Sequence, residues 1–128
     1  HEPPEICATY GRPYLKSLAV TAGFDVAGFA TSHPQAAAIV LDSPSLLHGG
    51  SGRAWDRSLV ARGAVDKPLV LAGGLTAETV GAAIADLAPY AVDVSSGVES
   101  SRGVKSAERI RRFCDAVREA DARVEAAA

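Results

Sequence analysis

Short apolar runs alternate with amphipathic stretches along the chain. The runs lie at residues 14–20, 37–41, 68–72 and 90–94, and three of them are nearly continuous and bounded by Gly, Pro or Ser. Runs of this kind are typical of strands that are buried on both faces. Since each run follows the previous one after one strand–helix unit, the pattern predicts a parallel sheet with right-handed crossovers. An open doubly wound sheet and part of a barrel both fit it.

Amphipathic segments fill the intervals between the runs and predict helices. They cover about 3–10, 23–31, 56–63, 76–87 and 106–122. In the last segment Ile110, Phe113, Cys114 and Val117 recur at three-and-four spacing, with charged residues on the other side. The predicted order is one helix followed by four strand–helix units, in a single α/β domain over residues 1–128.

The composition narrows the range of functions. A chain of 128 residues has room for one domain with a core. Its formal net charge of -2 provides no basic field for nucleic acid or an anionic membrane. No apolar run approaches the roughly 20 residues of a membrane span, and the first residues lack the basic and apolar regions of a signal peptide. We therefore expect a cytoplasmic protein without nucleic-acid or membrane partners.

The chain opens with His1 and contains no methionine, so we expect residues upstream of it to be missing. Its two cysteines, Cys7 and Cys114, lack CxxC spacing and are predicted to be reduced thiols that pack as small hydrophobic side chains. No set of His, Cys and carboxylate residues has metal-ligand spacing, so no metal site is predicted.

Small and polar residues follow three of the four runs. The residues after the second, third and fourth runs are, in order, Asp42-Ser43, Gly73-Gly74 and Ser95-Ser96-Gly97. The carboxyl ends of parallel strands meet at one edge of a sheet, where ligands of α/β proteins gather. We therefore expect these residues to form a site. Asp42 itself has two interpretations: a partly desolvated general acid, or a turn or cap residue at a strand end.

Two of these strand ends suggest a phosphate site. Gly73 and Gly74 precede the helix predicted over 76–87, and glycines let backbone N–H groups approach an anion near a helix N-terminus. Ser95-Ser96-Gly97 adds two hydroxyl donors at the next strand. Adjacent phosphate-binding loops after the last two strands recur in (β/α)8 barrels. The chain has no GxxxxGK[ST] sequence, which argues against a nucleotide P-loop.

Several other residues have more than one interpretation. The stretch Gly49-Gly50-Ser51-Gly52 is either a loop that folds over a ligand or a plain connection. Asp93, inside the last apolar run, is expected either to face the pocket or to bind neighbouring backbone. Lys16 is interpreted as part of an internal ion pair, and His33 as solvent-facing. Trp55 is predicted to be a packing anchor under the glycine loop.

The motifs together resemble the phosphoribosylanthranilate isomerase family. The matching stretches begin at residues 1–5, 41–43 and 49–56, continue at 71–75 and 92–99, and end at 103–106. The most specific of them is Val92-Asp93-Val94-Ser95-Ser96-Gly97-Val98-Glu99. Order and spacing fit across nearly the whole chain. The resemblance implies a (βα)4 half of a (β/α)8 TIM barrel, with the four strands as the fifth to eighth.

The resemblance also implies an activity. The family converts N-(5-phosphoribosyl)anthranilate to an aminoketose in tryptophan biosynthesis, by an Amadori rearrangement that exchanges aldose and ketose without a cofactor. Asp42 would be the general acid that protonates the furanose oxygen. The phosphate would be held by Gly73, Gly74, Ser95, Ser96 and Gly97. Gly49 and Gly50 would belong to the loop over the substrate, and Asp93 would line the pocket.

One departure from the family pattern is large. The resemblance places the general base, a cysteine, on the first strand and an arginine for the anthranilate carboxylate after the second, and we expect both strands to be absent. Cys7 is not that base, because it lies on the helix after the fourth strand. We therefore expect a fragment that is inactive alone and pairs with the missing half. The alternatives are a non-catalytic phosphate-binding half-barrel that pairs with a second copy, and a different phosphosugar enzyme such as an indole-glycerol-phosphate synthase.

Overall fold

Four parallel strands form one sheet whose order follows the chain. The computed structural model describes residues 2–44 and 55–127. The strands are Tyr14–Ala19 (β1), Ala36–Asp42 (β2), Leu69–Leu71 (β3) and Ala91–Val92 (β4). They pair in parallel in the order β1-β2-β3-β4. The predicted α/β class with a parallel sheet is therefore confirmed, and the strand ends predicted to meet do lie at one edge.

In the part of the chain that the structure describes, four α-helices accompany the sheet. They are Pro4–Thr9 (α1), Val26–Ser32 (α2), Val80–Leu87 (α3) and Ala107–Ala126 (α4). Capping residues fix two of their starts, because the Asp25 side chain accepts a hydrogen bond from the Gly28 N–H and the Ser106 hydroxyl accepts one from the Arg109 N–H. Among the described residues, no helix is both long and apolar enough to cross a membrane.

The helix predicted over 56–63 is wrong in its described part. Only a 3-10 turn, Arg57–Leu59, forms there, and Asp56 caps it by accepting from the Ser58 N–H. Val60 is already extended, and Gly63 adopts a left-handed φ of 74°. The backbone thus leaves the helical conformation at Val60, three residues before the left-handed Gly63, so the amphipathic pattern does not form an α-helix.

The helix predicted over 76–87 starts later than its pattern suggested. A turn over 77–79 precedes α3, and the Thr76 N–H donates to the Thr79 hydroxyl across it at 3.0 Å. The N-terminus of α3 therefore lies farther from Gly73-Gly74 than the predicted helix over 76–87 had placed it. A second difference is the unpredicted antiparallel hairpin of Glu99–Ser101 (β5) and Val104–Lys105 (β6). Its turn uses Gly103 at a φ of 80°.

The core lies between the sheet and the two C-terminal helices. Ile39 and Leu41 of β2 are completely buried, and the inward faces of α3 and α4 pack against the same cluster through Val80 and Phe113. The buried stripe of α4 includes Phe113 and Ala120, whereas Ile110 and Cys114 are exposed. The predicted packing of Cys114 is therefore wrong, because the helix turns a different face inward. Cys7, as predicted, is buried.

Lys16 and His33 are buried, and each has a partner close by in the structure. The Lys16 ammonium lies 3.6 Å from the Glu2 carboxylate, as the predicted ion pair requires, and 3.6 Å from the Cys7 sulfur. His33 is only 5% exposed, so the prediction that it faces solvent is wrong. It ends α2, where its Nδ1 lies 3.0 Å from the Phe29 carbonyl oxygen and its ring packs on Phe29 with centroids 4.5 Å apart.

Candidate functional site

A cavity of about 420 Å³ opens where β2, β3 and β4 end. Its lining includes seven of the residues predicted from the strand ends: Asp42, Gly73, Gly74, Asp93, Ser95, Ser96 and Gly97. Ser43, which was expected at the site together with Asp42, also lines it, and so do Glu99, Arg102 and Gly103, which sequence reasoning did not assign to the site. The parallel register explains the convergence, since Leu41 pairs with Leu71 and Leu71 with Val92 at the strand ends.

Asp42 stands beside the first glycine turn. It is the last residue of β2 and is half-buried, and its Oδ1 accepts a hydrogen bond from the Ser43 N–H at 2.6 Å. A Cβ built at Gly73 would lie 2.5 Å from that Oδ1 and 2.5 Å from the Ser43 nitrogen. Because Gly73 also has a φ of 81°, only glycine fits here. The carboxylate therefore contacts the turn directly.

The two glycine-bearing turns also contact each other. A Cβ at Gly97 would overlap the Leu75 carbonyl oxygen and would lie 3.1 Å from a Val94 methyl group. No side chain can therefore occupy position 97 unless one of the turns moves. Gly73 and Gly74 are both left-handed, with φ values of 81° and 66°. The turn after β3 and the turn after β4 consequently form one packed unit.

Asp93 differs from its predicted setting. The strand β4 ends at Val92, so Asp93 follows the strand, and its side chain is exposed where burial was expected. Its backbone N–H donates to the Leu71 carbonyl at 2.7 Å, which continues the strand pairing for one more residue. Of the two expected roles, the side chain fits the one that faces the cavity, because Asp93 lies in the lining.

The hairpin is tied to the end of β4 by Lys105. Its Nζ donates to the Ser95 carbonyl oxygen at 2.9 Å, to the Ser95 hydroxyl at 3.1 Å and to the Glu99 carboxylate at 2.8 Å. The Gly103 N–H donates to the other Glu99 oxygen at 3.0 Å. The hydrogen bond from Lys105, then the one from Gly103, keeps the pKa of Glu99 below its usual range. Glu99 and Lys105 both lie in stretches that resemble the family, but nothing in their spacing predicted that they contact each other.

The described lining of the cavity has an uneven charge. It contains three carboxylates, Asp42, Asp93 and Glu99, and one cation, Arg102. The described residues contain no group of three or more His, Cys, Asp or Glu side chains that could hold a metal ion. An anionic ligand would therefore depend on backbone N–H groups and on Arg102 for stabilisation.

Other predicted residues lie at or outside the margin of this site. Gly49 and Gly50 fall outside the described residues, as do Ser51 and Gly52 of the same stretch. Trp55 is buried, as a packing anchor should be, and donates its indole N–H to the Ala72 carbonyl at 3.1 Å. The glycine loop that it was predicted to support lies outside the described residues. A second cavity of about 440 Å³ behind the glycine turns shares Gly74, Leu75, Ser96 and Gly97 with the first but does not include Asp42.

Comparison with known families decides the family of the chain. The sequence model of N-(5'phosphoribosyl)anthranilate (PRA) isomerase matches residues 2–116. The chain belongs to this family. The match runs from the start of the described residues to within α4, so it includes every strand end around the cavity. Among the alternatives raised by the sequence, the match favours phosphoribosylanthranilate isomerase over an indole-glycerol-phosphate synthase.

Relatives and solved structures agree with this family. The chain is 51% identical to the N-(5'-phosphoribosyl)anthranilate isomerase of Methylibium petroleiphilum over 125 residues, which is 98% of this chain and 58% of that protein. It is 34% identical to the crystal structure of phosphoribosyl anthranilate isomerase from Thermotoga maritima, with a TM-score of 0.79, covering 93% of this chain and 58% of that one. This chain therefore spans little more than half the length of the isomerases it matches.

One solved isomerase structure contains a ligand. It is a complex of phosphoribosyl anthranilate isomerase with reduced 1-(o-carboxyphenylamino)-1-deoxyribulose 5-phosphate. This chain is 28% identical to it, with a TM-score of 0.68, over 93% of this chain and 56% of that one. The phosphoribosylanthranilate isomerase fold therefore extends over the parallel sheet and the turns described above.

Proposed function

We propose that this chain supplies the general acid and the phosphate site of an enzyme that converts N-(5-phosphoribosyl)anthranilate to the 1-deoxyribulose 5-phosphate aminoketose. The observation that carries the proposal is that Asp42 and both glycine-bearing turns line one cavity. A reacting sugar and its phosphate require these two functions within one substrate length. The four strands then correspond to the fifth to eighth strands of a (β/α)8 barrel, whose active site lies at this edge.

The proposed chemistry begins with a proton from Asp42. Protonation of the furanose ring oxygen lets the bond between carbon 1 and that oxygen break, while the anilino nitrogen forms a double bond to carbon 1. Removal of the proton at carbon 2 by a base then gives the enol of the aminoketose. The enol then gains a proton at carbon 1 and loses the proton of its carbon 2 hydroxyl, which gives the ketose. Carbon 1 is thereby reduced and carbon 2 oxidised, so this aldose–ketose isomerisation is an intramolecular oxidoreduction and requires no cofactor.

The phosphate would bind at the two packed turns. Gly73, Gly74, Ser95, Ser96 and Gly97 would hold it mainly through backbone N–H groups, while Asp93 lines the pocket. Held far from the reacting carbon, the phosphate would fix the sugar relative to Asp42. The reduced product analogue bound by the related isomerase carries this 5-phosphate. Gly49 and Gly50 are proposed to belong to a loop that covers the substrate.

The general base is proposed to come from other strands. Cys7 lies on α1 and Cys114 on α4, and neither cysteine lines the cavity that contains Asp42. The base and the arginine for the anthranilate carboxylate would then belong to the first and second strands. Each of the outer strands β1 and β4 has one neighbour in the described sheet. The other half of the barrel would cover these edges, and pairing with a second copy is the alternative.

A chimera tests the proposal. The N-terminal part of the Methylibium petroleiphilum isomerase would be joined to the start of this chain, and the loss of N-(5-phosphoribosyl)anthranilate would be followed by fluorescence. We expect turnover by the chimera and none by the 128-residue chain alone. A folded chimera without turnover would contradict the proposed activity, and turnover by the chain alone would contradict the proposed source of the base. Light scattering that shows a stable, phosphate-binding dimer and a chimera that stays inactive would favour a non-catalytic module.

A further inference from the structure

Lys105 makes a connection across ten residues of chain. Its ammonium contacts the Ser95 carbonyl oxygen, the Ser95 hydroxyl and one Glu99 oxygen, at 2.9, 3.1 and 2.8 Å. All three donor positions of an ammonium can thus be used at once. Lys105 does not itself line the cavity, whereas Ser95 does. The lysine therefore contacts a residue of the lining without lining the cavity itself.

The hairpin holds the lysine in a defined place. Glu99 and Lys105 are paired partners of β5 and β6, and both oxygens of the Glu99 carboxylate are engaged, one by Lys105 and one by the Gly103 N–H. The Glu99 side chain is 15% exposed and that of Lys105 is 45% exposed. Because backbone pairing and the glycine turn fix both residues, the ammonium loses little further freedom when it binds Ser95.

The contact with the Ser95 carbonyl sets the orientation of the next peptide. A trans peptide bond is planar, so the Ser95 carbonyl and the Ser96 N–H point in opposite directions. The same oxygen also accepts the Val98 N–H at 3.4 Å, which closes the 3-10 turn Ser96–Val98. With the carbonyl oxygen bound to Lys105 and Val98, the Ser96 N–H must point away from both donors. Ser96 lines the cavity, and Gly97 is fixed against the Leu75 carbonyl. The peptide between residues 95 and 96 is therefore held at its carbonyl oxygen, and Gly97, the residue that follows it, packs closely on the turn that follows β3.

We propose that Lys105 is a positioning residue that orients the Ser95–Ser96 peptide so that the Ser96 N–H binds the phosphate of the ligand. This inference rests on the proposed phosphate site and assigns a role to a side chain outside it. The competing account is electrostatic, because Lys105 also neutralises Glu99, one of three carboxylates in the lining. The two accounts predict opposite signs for one substitution.

Glu99→Gln distinguishes them. If orientation matters, the loss of the charged partner loosens Lys105 and weakens phosphate binding. If the role of Lys105 is to neutralise Glu99, the removal of this negative charge from the lining strengthens phosphate binding. We expect the affinity of the 128-residue chain for inorganic phosphate, measured by isothermal titration calorimetry, to fall about threefold. Tighter phosphate binding by this variant would overturn the proposal.

Lys105→Met is the stronger variant, with Lys67→Met as its matched control. Lys67 also donates to two backbone carbonyls, of Pro34 and Ala36, at 2.8 and 3.0 Å, but it does not line the cavity. We expect Lys105→Met to weaken phosphate binding about tenfold and to speed hydrogen exchange of the Ser96 amide, and Lys105→Arg to recover most of the affinity. Lys67→Met should leave phosphate affinity within about twofold of the unaltered chain.

In the chimera, Lys105→Met should raise KM about tenfold and change kcat by less than about twofold. Unchanged phosphate affinity in a folded Lys105→Met chain, or an equal loss in Lys67→Met, would overturn the inference while leaving the proposed activity intact. An inactive chimera whose phosphate binding still depends on Lys105 would instead overturn the proposed activity alone. No detectable phosphate binding by the unaltered chain would overturn both.

Discussion

The two ends of the sheet use the same side-chain chemistry with different consequences. At the amino end, Lys67 donates to the Pro34 and Ala36 carbonyls and ties the start of β2 to the start of β3. At the carboxyl end, Lys105 donates to the Ser95 carbonyl and hydroxyl beside the cavity. Both contacts hold loops in place. Only the second fixes a backbone segment that a ligand would touch, so location rather than chemistry separates a structural lysine from a functional one.

The glycines show the same contrast. Gly63 and Gly73 have similar left-handed φ values of 74° and 81°. A Cβ at Gly63 would meet no described atom within 4 Å, whereas one at Gly73 would press against Asp42 and Ser43. A positive φ alone therefore marks a turn, and a positive φ with close neighbours marks the point where the strand ends meet.

The largest expected effect is a loss of turnover at Asp42, at the carboxyl end of the sheet. Asp42→Asn keeps the size of the side chain but removes its proton-donating capacity, so we expect turnover of the chimera to fall by about 10³-fold, within the usual range for general acids. The measurement is kcat/KM with N-(5-phosphoribosyl)anthranilate. Asp25→Asn, which alters a carboxylate that caps α2, serves as the control and should retain near-normal turnover. Turnover by Asp42→Asn within tenfold of the unaltered chimera would contradict the assignment.

The next effect concerns packing at the glycines. Gly73→Ala combines left-handed strain with contact against backbone and carboxylate atoms, so we expect it to lower the free energy of unfolding by about 3 kcal/mol. Gly63→Ala has the strain without the contact and should cost about 1 kcal/mol. Urea denaturation of the two variants measures the difference. Equal costs would show that Asp42 and Ser43 move aside easily.

The amino end should respond in stability alone. Lys67→Met removes two hydrogen bonds from a charged donor to backbone carbonyls, and we expect the free energy of unfolding to fall by about 1–2 kcal/mol. The urea midpoint measures this loss. A Lys67→Met chain as stable as the unaltered one would mean that the contact with Pro34 and Ala36 contributes nothing to the fold, and the comparison of the two lysines would then lose its structural partner.

The smallest expected effect is the change in the stability of the hairpin with pH. It is small because Lys105, which pairs with Glu99, is partly exposed to solvent. The hydrogen bonds from Lys105 and Gly103 lower the pKa of Glu99 in the folded state. Its contribution to stability is therefore fully present above the unfolded pKa, near 4.5, and is lost as pH falls through the lower folded pKa. Carboxyl chemical shifts followed by NMR measure the folded pKa. A normal value for Glu99, or no response to Lys105→Met, would contradict the contact.

The sequence predicted the sheet well because buried parallel strands are nearly continuous apolar runs, and their order follows from short right-handed connections. It predicted the converging strand ends for the same reason. The prediction of a helix over 56–63 was wrong because apolar periodicity does not reveal that the backbone becomes extended at Val60, ahead of the left-handed Gly63. The prediction for His33 was wrong because a polar residue next to proline suggests a surface turn. In the structure His33 ends α2, and the His33 ring packs on Phe29. The contact of Lys105 with Ser95 depends on how the hairpin folds back, which has no local signal.

The contact of Trp55 with the Ala72 carbonyl has a practical consequence. Trp55 is the only tryptophan of the chain, and its indole is hydrogen-bonded to the residue immediately before Gly73. Its emission therefore reports on the end of β3 from within the protein, with no attached dye. Occupation of the neighbouring cavity should shift or quench that signal, which offers a direct titration for ligands and variants alike.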